Sequence, residues 1–393
     1  MINENKSIAV CAVCYNRRDS LARLLASLDA AFYPVPVTLI ISIDKSDTTA
    51  VEDYADAYTW RHGEKRVVKH KENLGLRSHI LSIGDWLEEF DAVVVLEDDV
   101  YVAPSFYYYV QECVERFYDD MGIAGISLYR YPYCADTLQP FMPMVTDSDV
   151  FLMKRAVSWG QVWMREQWSA FKKWYEVHNE PFGVMPHLPG GVCEWPESSW
   201  LKYHIRYCIE EDKSFVVPYT SLSTCFCDLG THAVKKQTHT QAVLLQGEKR
   251  HWNLNPAVTY DGFFEAECLY EHFRACPSGI KREELCIDLY GAKGNRTGRR
   301  FWLTRQQLPF KVLRSYALEM KPWELNVLHE LEGHEIFLYD TSVGAKPPHE
   351  PDNDKNADYY LYATCLDIPS ILQKKVIKGL VTLKHAAFGL NEK

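Results

Sequence analysis

Residues 91–104 read DAVVVLEDDVYVAP, and the reading of the fold turns on them. Ala92 to Leu96 form an apolar, β-branched run that ends abruptly in three carboxylates, Glu97, Asp98 and Asp99. A parallel strand buried on both faces reads as a continuous apolar run of this kind, and open α/β sheets bind ligands beyond the carboxyl ends of their strands. Side chains alternate along a strand, so Asp98 and Asp99 do not both point into the core. Three adjacent anions repel one another unless a cation or a donor-rich ligand sits among them. A divalent cation carrying a diphosphate meets that need.

The triplet alone is weak evidence, because with 53 Asp and Glu in 393 residues about one such triplet is expected by chance. A second one, Glu210, Glu211 and Asp212, does occur. It follows the helical-looking WLKYHIRYCI and reads as a solvated face, whereas the first closes an apolar strand. Placement separates the two.

Upstream of the stretch, 7–14 is an apolar strand that breaks at Tyr15-Asn16-Arg17-Arg18. Asp19 or Ser20 is expected to cap a helix whose Leu21, Leu24, Leu25 and Leu28 stand at helical spacing. The run VTLIISI at 37–43 predicts a second buried strand, ending in Asp44, and 66–69 a third. Leu76, Ile80, Ile83, Leu87 and Phe90 then recur at helical spacing. Strands alternating with helices predict an α/β fold with a mostly parallel sheet and its site along one edge.

Downstream, Phe106, Val110, Val114 and Phe117 predict a helix over 105–117, and 123–128 a further strand. The segment 147–174 holds four Trp, read as core or as a sugar-stacking platform, with core favoured for each one. Gly190, Gly191 and Pro196 mark a loop leading to Ser198 and Trp200 at a helix start, and 215–233 reads as strand. From about Tyr260 the alternation dissolves into shorter segments, which predicts a smaller α+β region.

Composition is ordinarily globular, with 47% hydrophobic and 24% charged residues. A net charge of −10 argues against a nucleic-acid partner, since phosphate backbones are held by Lys and Arg. The start, MINENKSIAVCAVC, has no basic segment, long apolar segment or small-residue cleavage site, so a cytoplasmic chain is expected. No apolar run approaches the roughly 18–20 residues of a membrane span. The twelve Cys read as reduced thiols. Cys11 and Cys14, three apart on a strand, face opposite sides and suit packing better than zinc, while Cys225 and Cys227 share a strand face and read as small buried side chains.

Five segments in order resemble the GT-A glycosyltransferases, most closely the N-acetylglucosaminyltransferase I family and related bacterial enzymes. They are a strand then CYNR, a strand then SIDKSD, NLGLRSHI, VVVLEDDVYVAPSFYYYVQ, and SWGQVWMREQW, which is similar to that family's Gly-Trp loop. The resemblance covers about 7–245. It implies a GT-A domain over 1–250, with a donor half to about 104 and an acceptor half over 105–250, followed by an accessory region over 251–393.

Carried over, the resemblance implies that Arg17 and Asp44 hold the base and ribose of a nucleotide sugar, with Tyr15, Asn16, Gly75 and Arg77 in the donor-binding segments. Glu97 and Asp98 would contact donor sugar and ribose. Asp99 would ligate Mn²⁺ or Mg²⁺, and His232 would complete the metal shell or touch the diphosphate. All-oxygen ligation suits either ion. Where the family has an aspartate pair before a Trp, this chain has Glu197-Ser198-Ser199-Trp200. An inverting transfer needs an acceptor-side base, for which Glu197 is nearest in register and Glu194 is the reserve.

The implied function is inverting hexosyl or N-acetylhexosaminyl transfer from a nucleotide sugar, a UDP-sugar by preference, to a glycan or lipid-linked acceptor in bacterial surface polysaccharide synthesis. A sugar-phosphate nucleotidyltransferase is disfavoured, because CYNRRDS after the first strand contains no glycine to wrap a phosphate. A binding or scaffold protein that lost catalysis is the other alternative. Finally, 369–390 reads as a basic amphipathic helix, with Lys374, Lys375, Lys378 and Lys384 largely off its apolar stripe. It suits peripheral contact with an anionic membrane face or packing on the chain's own C-terminal region.

Overall fold

The computed structural model describes residues 6–228, 240–276, 279–294 and 298–348. His232 and the basic segment 369–390 lie outside the described residues. Four parallel strands build the N-terminal part: β1 (Ile8–Cys14), β2 (Leu39–Ile43), β3 (Lys65–Lys69) and β4 (Ala92–Glu97). Their connections carry α1 (Arg18–Asp29), α2 (Ala50–Ala57) and α3 (Gly75–Ser82), the last running into a 3₁₀ turn at Ile83–Glu88.

Alternation divides each central strand between two cores. Ala9, Cys11, Val13, Val93 and Val95 face one apolar cluster, and Val10, Ala12, Cys14, Val94 and Leu96 face the other. Cys11 and Cys14 therefore lie on opposite faces of the sheet, as their spacing on a strand requires. The leucine stripe of α1 is wholly buried, and each such side chain contributes about 1.5–3 kcal/mol relative to exposure. The cap differs from expectation. Arg17 occupies the cap position without a side-chain capping bond, and Ser20 Oγ instead donates to Asp228 Oδ2 at 2.8 Å. A partner 208 residues away has taken the hydroxyl that local capping would have used.

Beyond β4 the sheet becomes mixed. The chain passes through β5 (Val100–Val102), α4 (Phe106–Phe117), β6 (Ile123–Ser127), β7 (Val150–Met153) and β8 (Gln161–Met164). Helices α5 (Arg165–Glu176), α6 (Gly190–Cys193) and α7 (Leu201–Glu210) precede β9 (Ser214–Pro218), β10 (Ser223–Cys225) and β11 (Thr259–Tyr260). Nine strands form one sheet in the order β11-β7-β9-β6-β8-β4-β1-β2-β3, while β10 pairs antiparallel with β5. Five of its eight pairings are parallel, so the α/β class with a mostly parallel sheet is what the structure shows.

Of the four tryptophans, Trp163, Trp168 and Trp174 are core, Trp163 and Trp168 stacking at 3.9 Å. Trp159 is half-buried beside Tyr129 and Tyr131.

The region after Tyr260 contains α8 (Cys268–Ala275), β12 (Leu285–Asp288), β13 (Phe301–Thr304), β14 (Phe310–Tyr316), α9 (Glu324–Leu328) and β15 (Ile336–Gly344). Its four strands form a second sheet, β12-β13-β15-β14. Leu285, Ile287, Leu303, Ile336 and Leu338 from this sheet belong to the same apolar cluster as Val93 and Val95. Among the described residues, no helix is long and apolar enough to cross a membrane.

Candidate active site

Strand register assembles the site. Val13 of β1 lies beside Glu97 of β4, and Cys14 beside Ile43 of β2, so three strand ends stop level with one another. Glu97 closes β4, and the loops that follow the three strands carry Arg17, Asp44, Asp98 and Asp99.

Arg17 lies on the triplet. Its Nη2 donates to Asp98 Oδ1, its Nη1 lies 3.4 Å from Asp99 Oδ2, and Nη1 also donates to the Asp228 backbone oxygen at 3.2 Å. Burial opposes the guanidinium charge, but the Asp98 and Asp99 carboxylates more than offset it and raise the Arg17 pKa. The cation that the triplet needs is thus supplied, in part, by the chain itself. Burial pushes the Asp98 carboxyl up to about 6, the Arg17 charge restraining a larger rise. Glu97 is pushed up as well, by burial and by the charges of Asp99 and Asp98, against the lowering effects of Arg17 and a hydrogen bond from Trp200.

Asp99 is the more open member, with a side chain 14% exposed against 4% for Asp98. Among the described residues its Oδ2 has only long contacts, to Arg17 and to Cys225 Sγ at 3.7 Å, which leaves lone pairs that suit a hard cation. Cys225 is buried and Cys227 half-buried, with the sulfurs 3.3 Å apart. Only Cys225 is on strand β10; Cys227 follows it at φ +45, so the shared strand face expected for the pair is not formed.

Asp44 is buried, and its carboxylate accepts backbone N–H groups from Lys45 (2.9 Å), Leu74 (2.8 Å) and Gly75 (3.0 Å). It locks the start of α3 against the end of β2. Gly75 takes φ +74 there, a conformation costly for residues with a Cβ. Behind it, Ser42 Oγ lies 2.8 Å from His79 Nε2, and burial lowers the His79 pKa to about 4, keeping the ring neutral. Tyr15 is half-buried and Asn16 exposed at the mouth of the same edge.

The structure turns Arg77 and Glu197 toward each other. Arg77 Nη1 donates to the Glu197 backbone oxygen at 3.1 Å and to Tyr203 Oη at 2.9 Å. The Glu197 carboxylate accepts from Lys202 Nζ at 2.8 Å and from Tyr203 Oη at 2.6 Å. These two donors hold its pKa below the ordinary carboxylate value. The Lys202 side chain is 1% exposed, so Glu197 serves as counter-ion to a buried ammonium. Glu194, at the end of α6, is exposed, and among the described residues its side chain makes no hydrogen bond or ion pair.

Sequence reasoning missed Asp228. Its carboxylate binds Ser20 and Arg23, its backbone oxygen binds Arg17, and its charge bears on Asp98. Its signal in the sequence was a carboxylate near the polar end of the strand-like run 215–233.

Among the solved structures to which the chain is similar are three of glycosyltransferases. With the mannosyltransferase PcManGT from Pyrobaculum calidifontis in complex with GDP-Man and Mn²⁺ it shares 14% identity over 42% of this chain and 46% of that one, at TM-score 0.30. GalNAc-T7 with UDP, GalNAc and Mn²⁺ gives 14% identity, 55% and 43% coverage and TM-score 0.38. S. aureus TarS 1-349 in complex with UDP-GlcNAc gives 11% identity, 59% and 62% coverage and TM-score 0.37. The chain spans less than two thirds of each of them. No family model and no curated protein matches the chain.

Proposed function

We propose that this chain is an inverting glycosyltransferase of the GT-A type, related to the N-acetylglucosaminyltransferase I family. It takes a nucleotide sugar, a UDP-sugar by preference, at the carboxyl edge of β2, β1 and β4 and glycosylates a glycan or lipid-linked acceptor. The acidic triplet, delivered level with Arg17 by strands in register, is the observation that carries the reading. The acceptor class and a role in bacterial surface polysaccharide synthesis follow the family resemblance.

In this reading Asp44 holds the 74–75 turn that walls the nucleotide pocket, and Asp98 and Arg17 face the ribose and diphosphate. The open oxygens of Asp99 fit a hard divalent ion, so Mn²⁺ or Mg²⁺ would be held there. Such an ion, when bound, would neutralise charge on the departing diphosphate. Glu194 takes the proton of the acceptor hydroxyl as the sugar is transferred, a role that suits a free carboxylate better than one committed to Lys202. Glu197 holds Arg77 and Lys202 in place. The half-buried Trp159, with Tyr129 and Tyr131 behind it, offers the acceptor an aromatic face.

UDP release from a panel of UDP-sugars with Mn²⁺ tests the proposal. Release with one donor, lost in Asp99→Ala, is expected. Donor binding without any release, in the presence of candidate acceptors, would instead favour the inactive sugar-binding reading, to which the commitment of Glu197 lends support.

A further inference from the structure

A second chemical constellation lies in the C-terminal region. His272 and Cys276 stand four residues apart, and the Cys276 N–H still bonds the His272 carbonyl at 3.1 Å, so both side chains leave the same face at the end of α8. Glu330, beyond α9 with φ +50, reaches the same point. The three ligand atoms form a nearly equilateral triangle: His272 Nε2 to Cys276 Sγ 3.8 Å, Sγ to Glu330 Oε1 3.9 Å, and Nε2 to Oε1 3.9 Å. Among the described residues this is the one trio of His, Cys or carboxylate side chains whose ligand atoms lie within 4.8 Å of one another.

An edge of 3.9 Å divided by √3 leaves a point about 2.2 Å from each atom, and zinc bonds sulfur at about 2.3 Å and nitrogen or oxygen at about 2.0–2.2 Å. Without a cation, contacts of 3.8–3.9 Å through a thiol are weak hydrogen bonds at best. We propose that His272, Cys276 and Glu330 form a zinc site: a slight closing of the three ligands on the ion would let it leave their plane and take a water as its fourth, tetrahedral ligand. A mixed N, S, O donor set favours zinc over magnesium, calcium or manganese, which prefer oxygen alone. Arg314 Nη1 donates to Glu330 Oε1 at 2.7 Å, and ligating carboxylates commonly carry a hydrogen bond of this kind from outside the ligand set. Binding takes a proton off the Cys276 thiol and forms the Zn–S bond in its place. The ion would join α8, the turn after α9 and, through Arg314, strand β14.

The full chain, purified reduced and without chelator, should contain about one zinc per molecule. Dialysis against Co²⁺ should produce a thiolate-to-cobalt charge-transfer band. Cys276→Ala should lose both the zinc and the band, Cys268→Ala on the same helix should keep both, and chelation should lower Tm by several degrees. Donor hydrolysis with Mn²⁺ should be unchanged in Cys276→Ala, so the result is independent of the glycosyltransferase reading. Wild-type protein without zinc and without a cobalt band would overturn the site. So would equal metal content in Cys276→Ala. Should that variant fail to fold, Co²⁺ titration of the reduced wild-type chain decides the matter by the presence or absence of the band.

Discussion

The two acidic triplets differ little in composition and completely in situation. Glu97, Asp98 and Asp99 end a strand buried on both faces, in register with β1, and Arg17 closes on them. Glu210, Glu211 and Asp212 end α7, where Glu210 pairs with Arg206 and His187 at the surface, and Asp212, 82% exposed, reaches Lys154. Charge clustering alone therefore does not distinguish the two. Strand register does, because it desolvates the first set of carboxylates and places the Arg17 cation within reach of them.

The largest contrast should appear in catalysis. Asp99→Ala should reduce Mn²⁺-dependent UDP release by about 10³-fold or more, as expected when a group stabilising transition-state charge is lost, with Tm little altered because the side chain lies at the ligand edge. Asp212→Ala should leave release unchanged. Equal effects of the two would dissolve the distinction. Next in size, Glu194→Gln should lower kcat by about 10²-fold with donor affinity retained. Glu197→Gln should chiefly lower stability, since it leaves the buried Lys202 ammonium without its anion. A collapse of kcat in Glu197→Gln at unchanged Tm would return the base to that residue.

Arg17 sharpens the comparison through stability. The folded-state Asp98 carboxyl titrates at about 6, above its ordinary value of 3.8, so the native chain holds more protons than the unfolded one between those values. Its contribution is therefore most favourable below about pH 4 and declines as pH rises toward 6. Arg17→Met should cost about 3 kcal/mol near pH 7 by stranding a buried carboxylate, and should extend the decline to higher pH. Asp98→Asn in the same background should restore most of the loss, read by denaturant unfolding across pH. Additive losses would show that the Arg17–Asp98 pair is not coupled.

The legible parts of the chain were those whose information is local. The runs that became β1, β2 and β4, and the leucine stripe of α1, carry their burial in their own spacing. Helix α2 did not, since only Val51 and Ala55 of its eight residues are buried and its polar sequence resembles a loop. The second sheet was likewise hidden, because β12 and β13 are four residues each and β13 and β14 both pair with β15 far along the chain. At the site, the triplet and Asp44 could be placed by strand ends. That Arg17 would meet Asp98 across 81 residues, and Glu197 would be held by a buried Lys202, depended on tertiary packing.

The smallest effect is expected at Asp212, and it tests the other half of the comparison. Its carboxyl pKa is lowered, chiefly by the hydrogen bond from Lys154. A lowered folded-state pKa contributes stability above the ordinary value of 3.8 and loses it as pH falls through the folded one. The side chain is 82% exposed, however, and water and salt screen the pair, so the contribution should stay within about 0.5 kcal/mol. Asn is the informative replacement, because it tolerates the φ of +52 found here and removes only the charge. Asp212→Asn should therefore shift the urea midpoint marginally at low salt, and the shift should vanish at about 1 M salt, where the screening length falls to about 3 Å. A loss of 2 kcal/mol that persists in salt would mean that this triplet, too, is built into the fold.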